Sequence, residues 1–295
     1  MKILNFGSLN IDYVYQVTHM VQAGETLASS ALNVYCGGKG LNQSVAIARA
    51  GGNVWHAGLI GSEGTMLVEA CKESGVNTEW IKVTEGKSGH TIIQVDENGQ
   101  NCILLYGGAN RKITPEYVDE VLQNFEKGDI LLLQNEISSL DTIIERAYKK
   151  GMRIVLNPSP FDENLKACDL SKISMFLLNE VEGEQMAGTS EPDEILKRLA
   201  ELYPESEVIL TLGQNGSVYS FKGKRVHQKI YSVKAVDTTA AGDTYTGYYL
   251  AAVSEGKSVE DALDLAARAS AIAVTRSGAV PSIPMLEEVL TFSEC

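Results

Sequence analysis

Short apolar runs and helix-period segments alternate along most of this chain, and that alternation limits its fold more than any other feature. Residues 3–6, 54–60, 130–133, 153–156, 175–178 and 208–212 read as buried strands, several bounded by Gly, Asn or Pro. Helical patterns cover 42–50, 66–73, 115–124, 140–149 and 191–202, and helices dominate the last part, over 242–254 and 259–276. Strands that alternate with helices line up in parallel, so a mostly parallel sheet with helices on both faces is expected. Two stretches break the pattern. Residues 28–35 and 89–106 read as antiparallel strands, the second folded at the turn signal Asp96-Glu-Asn-Gly99. They are expected to form a small β lid, inserted at about 12–36 and 88–107 in a single 1–295 domain.

Composition closes off several function classes. The net charge of −13 argues against nucleic acid and anionic membranes as partners, although a local cradle can still hold a polyanion. The five cysteines (Cys36, Cys71, Cys102, Cys168 and Cys295) are odd in number, scattered and free of any CxxC spacing. Neither a disulfide framework nor a zinc site is expected, and reduced cytoplasmic thiols are the simplest reading. The first residues run straight into a strand pattern, so no secretory leader is expected, and no apolar run approaches the ~20 residues of a membrane span.

The sharpest chemical signal is Asp237-Thr-Thr-Ala-Ala-Gly-Asp-Thr-Tyr-Thr-Gly247. Small residues let the backbone turn tightly and expose its N–H groups, and the helix that follows adds unpaired N–H groups and a positive dipole end. Asp243 stands where an alcohol would meet a phosphate held there, the arrangement that phosphoryl transfer requires. Read blandly, Asp243 is only an N-terminal helix carboxylate stabilised by the dipole.

Weaker signals lie at other strand ends, where ligands bind in doubly wound sheets. Asn10-Ile-Asp12 follows the first strand and offers hydrogen bonds to vicinal hydroxyls, or else forms an Asx turn. Gly37-Gly-Lys-Gly40-Leu-Asn42-Gln-Ser opens a helix without Walker A spacing, and Asn42 either caps that helix or reaches a hydroxyl. Gln134-Asn-Glu136 puts a carboxylate after the third strand, for sugar or for hydrated Mg²⁺. Asn179-Glu180-Val-Glu182 suits phosphate and Mg²⁺, or a capping box. Thr211-Leu-Gly213-Gln-Asn-Gly216 is a glycine-bearing turn between strands that can lie along a nucleotide.

Taken in this order along the whole chain, these motifs resemble the ribokinase family, within the PfkB-type sugar and nucleoside kinases. Gly37-Gly-Lys-Gly-Leu-Asn-Gln matches its N-terminal signature and Asp237-Thr-Thr-Ala-Ala-Gly-Asp its C-terminal one, and Gly108-Ala-Asn110 also falls in place. The resemblance implies a three-layer α/β/α fold with a mostly parallel sheet and a β lid. It implies a sugar contacted by Asn10, Asp12, Gly38, Lys39, Asn42 and Glu136, deprotonated by Asp243. Ala240, Ala241 and Gly242 would form the anion hole, and Asn179, Thr211, Gly213, Gly216 and Ala267 would line ATP. A monovalent cation, usually K⁺, would sit by Asp237, Thr239, Ala273, Arg276, Gly278 and Ser282, several through carbonyls. The chain departs from the family at Gly61-Ser-Glu-Gly64, shorter than the usual acidic loop, and at Ala267, where some relatives carry a polar residue.

The expected activity is transfer of the ATP γ-phosphate to the 5-hydroxyl of D-ribose, with Mg²⁺, in a homodimer paired through the lids. The alternatives are another acceptor (deoxyribose, fructose or a nucleoside) and a non-catalytic sugar or nucleotide sensor. A Rossmann dehydrogenase is excluded because Gly7-Ser-Leu-Asn10 follows the first strand in place of GxGxxG.

Overall fold

The computed structural model describes residues 1–292. Its main sheet has nine strands: β1 (Ile3–Phe6), β4 (Val54–Ile60), β5 (Asn77–Val83), β8 (Ile130–Gln134), β9 (Arg153–Asn157), β10 (Met175–Asn179), β11 (Glu207–Thr211), β12 (Ser217–Phe221) and β13 (Lys224–Gln228). Their order is β13-β12-β11-β10-β9-β8-β1-β4-β5, and every pairing from β5 to β11 is parallel. Only the β11/β12 and β12/β13 pairings are antiparallel, because their connections are too short for a crossover, so β12 alone runs against the rest of the sheet. The chain leaves β1 to build one wing (β4, β5) and returns to its other side to build β8 to β11. Strand order therefore reverses at β1/β8, where doubly wound sheets open a crevice.

Ten helices pack on this sheet among the described residues: α1 (Lys39–Arg49), α2 (Thr65–Glu73), α3 (Pro115–Leu122), α4 (Leu140–Lys150), α5 (Glu163–Lys166), α6 (Glu180–Ala187), α7 (Pro192–Leu202), α8 (Ala241–Ser254), α9 (Val259–Ala273) and α10 (Leu286–Thr291). Side chains alternate along a strand, so β1 sends Ile3 to one core and Leu4 and Phe6 to the other. The first core joins α1, α8 and α9, and the second joins α3, α4 and α7. The result is the three-layer α/β/α architecture expected from the sequence.

A separate four-stranded sheet has the order β3-β2-β6-β7, built from β2 (Asn10–Gln16), β3 (Ala31–Gly37), β6 (Gly89–Val95) and β7 (Asn101–Tyr106). The hairpin at Asp96–Gly99 joins β6 and β7 as expected, with the N–H groups of Asn98 and Gln100 both donating to Asp96 Oδ1 at 2.9 Å. The sequence reading missed β2. Asn10-Ile-Asp12, read as a ligand turn or an Asx turn, instead starts a seven-residue strand that pairs parallel with β6 and antiparallel with β3. Its Tyr13-Val-Tyr15 run favours an extended backbone and outweighs the turn preference of Asn and Asp. The strand read at 28–35 begins later, at Ala31. The last long helix stops at Ala273, short of the expected 276.

Candidate active site

Two helices carry the centre of the site, and their close approach sets its geometry. At Gly247 on α8 a Cβ would lie 2.3 Å from Ala46 Cβ and 2.8 Å from Ile47 N on α1, so only glycine lets the helices pack this closely. One turn earlier on each helix, that approach brings Asn42 and Gln43 to Asp243. Asn42 Nδ2 donates to Asp243 Oδ2 at 3.0 Å, and Gln43 Nε2 donates to Asp243 Oδ1 at 2.8 Å. Asn42 therefore does not cap α1, whose N-cap is Gly38 at φ 94° with no side-chain cap. Its Oδ1 is buried without a protein partner, an acceptor left for a hydroxyl donor.

Asp243 lies in the first turn of α8. Ala240, the residue before the helix, holds a left-handed backbone (φ 59°, ψ 11°) that turns the chain sharply into it. Among the described residues, the N–H groups of Gly242 and Asp243 meet no protein acceptor, and no side chain caps the helix. Ala241 N reaches back to Thr238 O at 3.2 Å. Space is open where a Cβ on Gly242 would point. Unpaired donors, a helix dipole and an open approach make an anion site beside a carboxylate.

Two adjoining hollows meet at this helix start. The smaller, ≈ 220 Å³, is polar and bounded by Lys39, Asn157, Asn179, Glu182 and Asp243. The larger, ≈ 530 Å³, extends along Gly213, Gly216, Tyr231, Ala267 and Val274. Thr211, Thr238, Ala241, Gly242 and Tyr245 border both. Lys39 is half-buried and its ammonium is held above its ordinary range: burial disfavours the charge, but Asp243, Glu136 and Glu182 together outweigh that. A permanent cation thus faces the polar hollow.

The remaining candidate residues fall into three groups. On the lid side, Asn110 Nδ2 donates to Asn10 Oδ1 at 2.8 Å, and Thr91 Oγ1 donates to Asp12 Oδ1 at 2.6 Å across the β2/β6 pair. Burial pushes the Asp12 carboxyl up to about 6, with Glu136 adding to the rise and Thr91 opposing it. Glu136 accepts from Lys39 N at 3.1 Å and from Ser8 Oγ, so it also props the Gly-rich turn. Away from the lid, Asn179 and Glu182 form the capping box on α6 and also line the polar hollow. Gly216 has a local reason to be glycine, since a Cβ would sit 2.1 Å from Gln228 O.

In the third group, Asp237 accepts from Thr239 N and Gly278 N, both at 2.9 Å, tying the 236–239 turn to the loop after α9. Burial alone would raise its carboxyl, but these hydrogen bonds hold it below the usual range. Ala273 and Ser282 are fully buried. The Arg276 guanidinium turns away to Glu288 at 2.5 Å, so only its backbone carbonyl is left for a cation. The short Gly61–Gly64 loop forms no wall of either hollow. Glu63 Oε1 accepts from Ser88 N and Gly61 N donates to Ser88 Oγ, each at 2.8 Å, which clamps the entry to β6.

Asn157 borders the site outside every motif read from the sequence, whereas Thr238 and Tyr245 border it from within the Asp237–Gly247 segment, where they carry no assigned role. Asn157 closes strand β9, and the strand-end rule that drew attention to Glu136 and Asn179 applies to it equally. Gln43 lay within a quoted motif but without a role.

The profile of the pfkB family carbohydrate kinases matches residues 1–286. The chain belongs to the pfkB family of carbohydrate kinases. Within it, the ribokinase of Haemophilus influenzae is 36% identical over 297 residues, covering 98% of this chain and 97% of that one. A deoxyribokinase of Salmonella typhimurium is 31% identical, covering 98% and 97%. The solved structure of Arabidopsis thaliana ribokinase complexed with ribose and ATP superposes with a TM-score of 0.87 at 29% identity, covering 99% of each chain. This pfkB kinase thus shares fold and extent with ribokinases, and its two signature segments meet at Asp243.

Proposed function

We propose that the chain transfers the γ-phosphate of ATP to the 5-hydroxyl of D-ribose, giving ribose 5-phosphate and ADP. The observation that carries this reading is the Asp243 carboxylate beside the unpaired N–H groups at the start of α8, on the border of two hollows. Asp243 takes the hydroxyl proton as the oxygen forms its bond to the γ-phosphorus, and the bond from that phosphorus to the β-bridging oxygen breaks with its electrons leaving on ADP. The unpaired N–H groups of Gly242 and Asp243 face the charge on the transferring group, with Ala240 and Ala241 forming the turn that presents them, and Lys39 adds a positive field. Asn10, Asp12, Gly38, Asn42 and Glu136 hold the sugar. Asp12 and Asn42 suit a cis-diol, which deoxyribose lacks. Thr211, Gly213 and Gly216 follow the nucleotide, with Ala267 as an apolar contact for the base.

Two ions fit the side chains present. The polar hollow offers oxygen donors from Asn157, Asn179 and Glu182, compatible with a Mg²⁺ that keeps most of its waters and is carried on ATP, where it neutralises phosphate charge. The Asp237 carboxylate, which ties the 236–239 turn to the loop after α9, would supply an all-oxygen set suited to K⁺ together with carbonyls of Thr239, Ala273, Arg276 and Gly278 and the Ser282 region, and the ion would order that loop beside the anion site.

We further propose a homodimer paired through the lids. Leu32, Ile103, Leu104 and Tyr106 on the two edge strands are 49%, 56%, 67% and 54% exposed, an apolar surface that pairing would cover. The thiols of Cys36, Cys71, Cys102 and Cys168 are unpaired, in keeping with a cytoplasmic protein; Cys295 lies outside the described residues. No helix among the described residues is long and apolar enough to cross a membrane.

The direct test is ADP release from Mg-ATP with ribose, deoxyribose, fructose and nucleosides, each in K⁺ and in Na⁺. Turnover should be strongest with ribose and fall when Na⁺ replaces K⁺. Preference for another acceptor would move the error to the sugar pocket, and indifference to the ion would remove the cation proposal. Absence of turnover with every acceptor would favour the sensor reading.

Asp12 gives this site a pH signature. Its carboxyl titrates at about 6, so lowering pH from about 8 to 5 should convert it from acceptor to neutral acid and raise the KM for the sugar. Loss of a hydrogen bond to a charged group costs about 1.5–3 kcal/mol, and about a tenth of the carboxyl is still ionised at pH 5, so the rise should approach but not exceed about tenfold. Asp12→Asn should show a high KM that is flat across this window. A wild-type KM constant from pH 5 to 8 would remove Asp12 from sugar binding.

A further inference from the structure

We infer that Gln43 is a positioning residue for Asp243, its amide held donor-forward by a chain of buried side chains that starts at the Gly40 carbonyl. This rests on Asp243 acting as the base. Asn5, Gln43, Ser44, His56 and Gln134 are all fully buried, and none of them borders either hollow. They nevertheless form one connected path to the reacting carboxylate.

The direction of each hydrogen bond follows from the one before. Asn5 Nδ2 donates to the Gly40 carbonyl at 2.7 Å and to Ser44 Oγ at 2.8 Å, so its Oδ1 must accept. It accepts from Gln134 Nε2 at 3.0 Å. That same Nε2 donates to Gln43 Oε1 at 2.6 Å, which fixes Gln43 Oε1 as an acceptor and turns its Nε2 toward Asp243 Oδ1. Asn157 Oδ1 accepts a second, longer bond from Nε2 at 3.3 Å. The other end closes consistently. Ser44 accepts from Asn5, so its hydroxyl donates to His56 Nδ1 at 2.8 Å, and His56 Nε2–H donates to the Gly7 carbonyl at 3.2 Å. That tautomer is the neutral imidazole, and burial pushes His56 down to about 4 despite the Gly7 bond, so it stays neutral at working pH.

No member of the path between His56 and Asp243 titrates near neutrality, so the path orients and does not shuttle protons. Its product is a fixed N–H donor on Oδ1. That bond favours the ionised carboxylate and restrains its rotation, which keeps the lone pairs of Oδ2 aimed at the incoming hydroxyl. A flipped Gln43 would set its carbonyl oxygen against a carboxylate oxygen, and Gln134 forbids the flip.

Gln43→Met tests this, because it keeps the length and bulk of the side chain, adds no charge, and removes the donor to Asp243. We expect kcat to fall about tenfold or more, KM for sugar and ATP to change by less than about threefold, and the acid limb of the kcat–pH profile to move up by about one unit. The other charged groups around Asp243 (Lys39 on α1, Glu136 after β8, Glu182 on α6, and Asp12 beside Glu136 on β2) are unchanged, so the shift reports Gln43. A merely structural Gln43 would lower the melting temperature and leave the profile where it was, and that result overturns the inference. If Gln43→Met fails to fold, Gln134→Met frees the Gln43 amide from one step away; wild-type kcat and profile there overturn it too. Asp243→Asn separates the two readings. Retained turnover in that variant refutes the base itself, whereas lost turnover alongside an unmoved Gln43→Met profile refutes only the positioning role.

Discussion

Asp243→Asn should keep the fold and lower kcat by ~10²–10⁴-fold, the usual loss when a general base is removed. The surroundings of Asp243 explain why the fold should survive. Both carboxylate oxygens accept hydrogen bonds, from Asn42 Nδ2 and from Gln43 Nε2. An asparagine there presents an N–H₂ group to one of those donors, a clash that costs about 1–3 kcal/mol if nothing moves. Gln43 cannot yield, because Gln134 holds its carbonyl. Asn42 can, because its own Oδ1 has no protein partner, and rotation of its amide turns that oxygen toward the new N–H₂. The variant should therefore settle with its Oδ1 on Gln43 and its Nδ2 on a rotated Asn42. It should melt within a few degrees of the parent. Steady-state ADP release with saturating ribose, beside a thermal melt, checks both halves. Near-normal kcat would sink Asp243 as base, and a collapsed melt would show that Asn42 does not rotate.

The same residues show what the sequence made legible. The parallel sheet is readable because β8 and β10 begin with four consecutive apolar residues and β1 is apolar apart from Asn5, all buried on both faces with little competing signal. The anion site was readable because it is local: Ala240, Gly242 and Asp243 are neighbours in the chain. Strand β2 was not, because its first residues carry turn-forming side chains and its partner β6 lies nearly eighty residues away. Short edge strands such as β5 and β13 are amphipathic and half-exposed, and their patterns resemble loops. The role of Gln43 was hidden for a related reason. Its meaning depends on Asn5, Gln134 and Asp243, which are remote in sequence and are joined only when α1 packs against α8 at Gly247. Asn42 and Gly216 show a related limit, since the contacts that settle their surroundings, to Asp243 on α8 and to Gln228 on β13, lie outside the motifs in which they stand.

Gly242→Ala should move stability and activity in opposite directions. Gly242 stands in the first turn of α8, and no heavy atom lies within 4 Å of the position a Cβ would take. Its backbone is not in the left-handed region, so alanine fits without strain. Within a helix alanine is favoured over glycine by ~1 kcal/mol, with a somewhat smaller gain in the first turn, so the variant should be as stable as the parent or slightly more stable. The empty space that makes the change harmless to folding is the space a phosphate needs to reach the N–H groups of Gly242 and Asp243. A methyl group there holds the anion off by an ångström or more, enough to lengthen the hydrogen bonds that stabilise the transferring charge. Loss of one such donor costs about 10²–10³-fold in kcat, and the fall should appear with ribose and with any weaker acceptor alike, because the defect lies on the phosphate side. Binding of ribose alone, followed by calorimetry without nucleotide, should stay near the parent value. A variant that melts higher and turns over slowly would separate the anion site from the scaffold, since damage to packing lowers both. Parent-like kcat in Gly242→Ala would mean that the phosphate does not use this turn, and the open space beside Gly242 would then need another occupant.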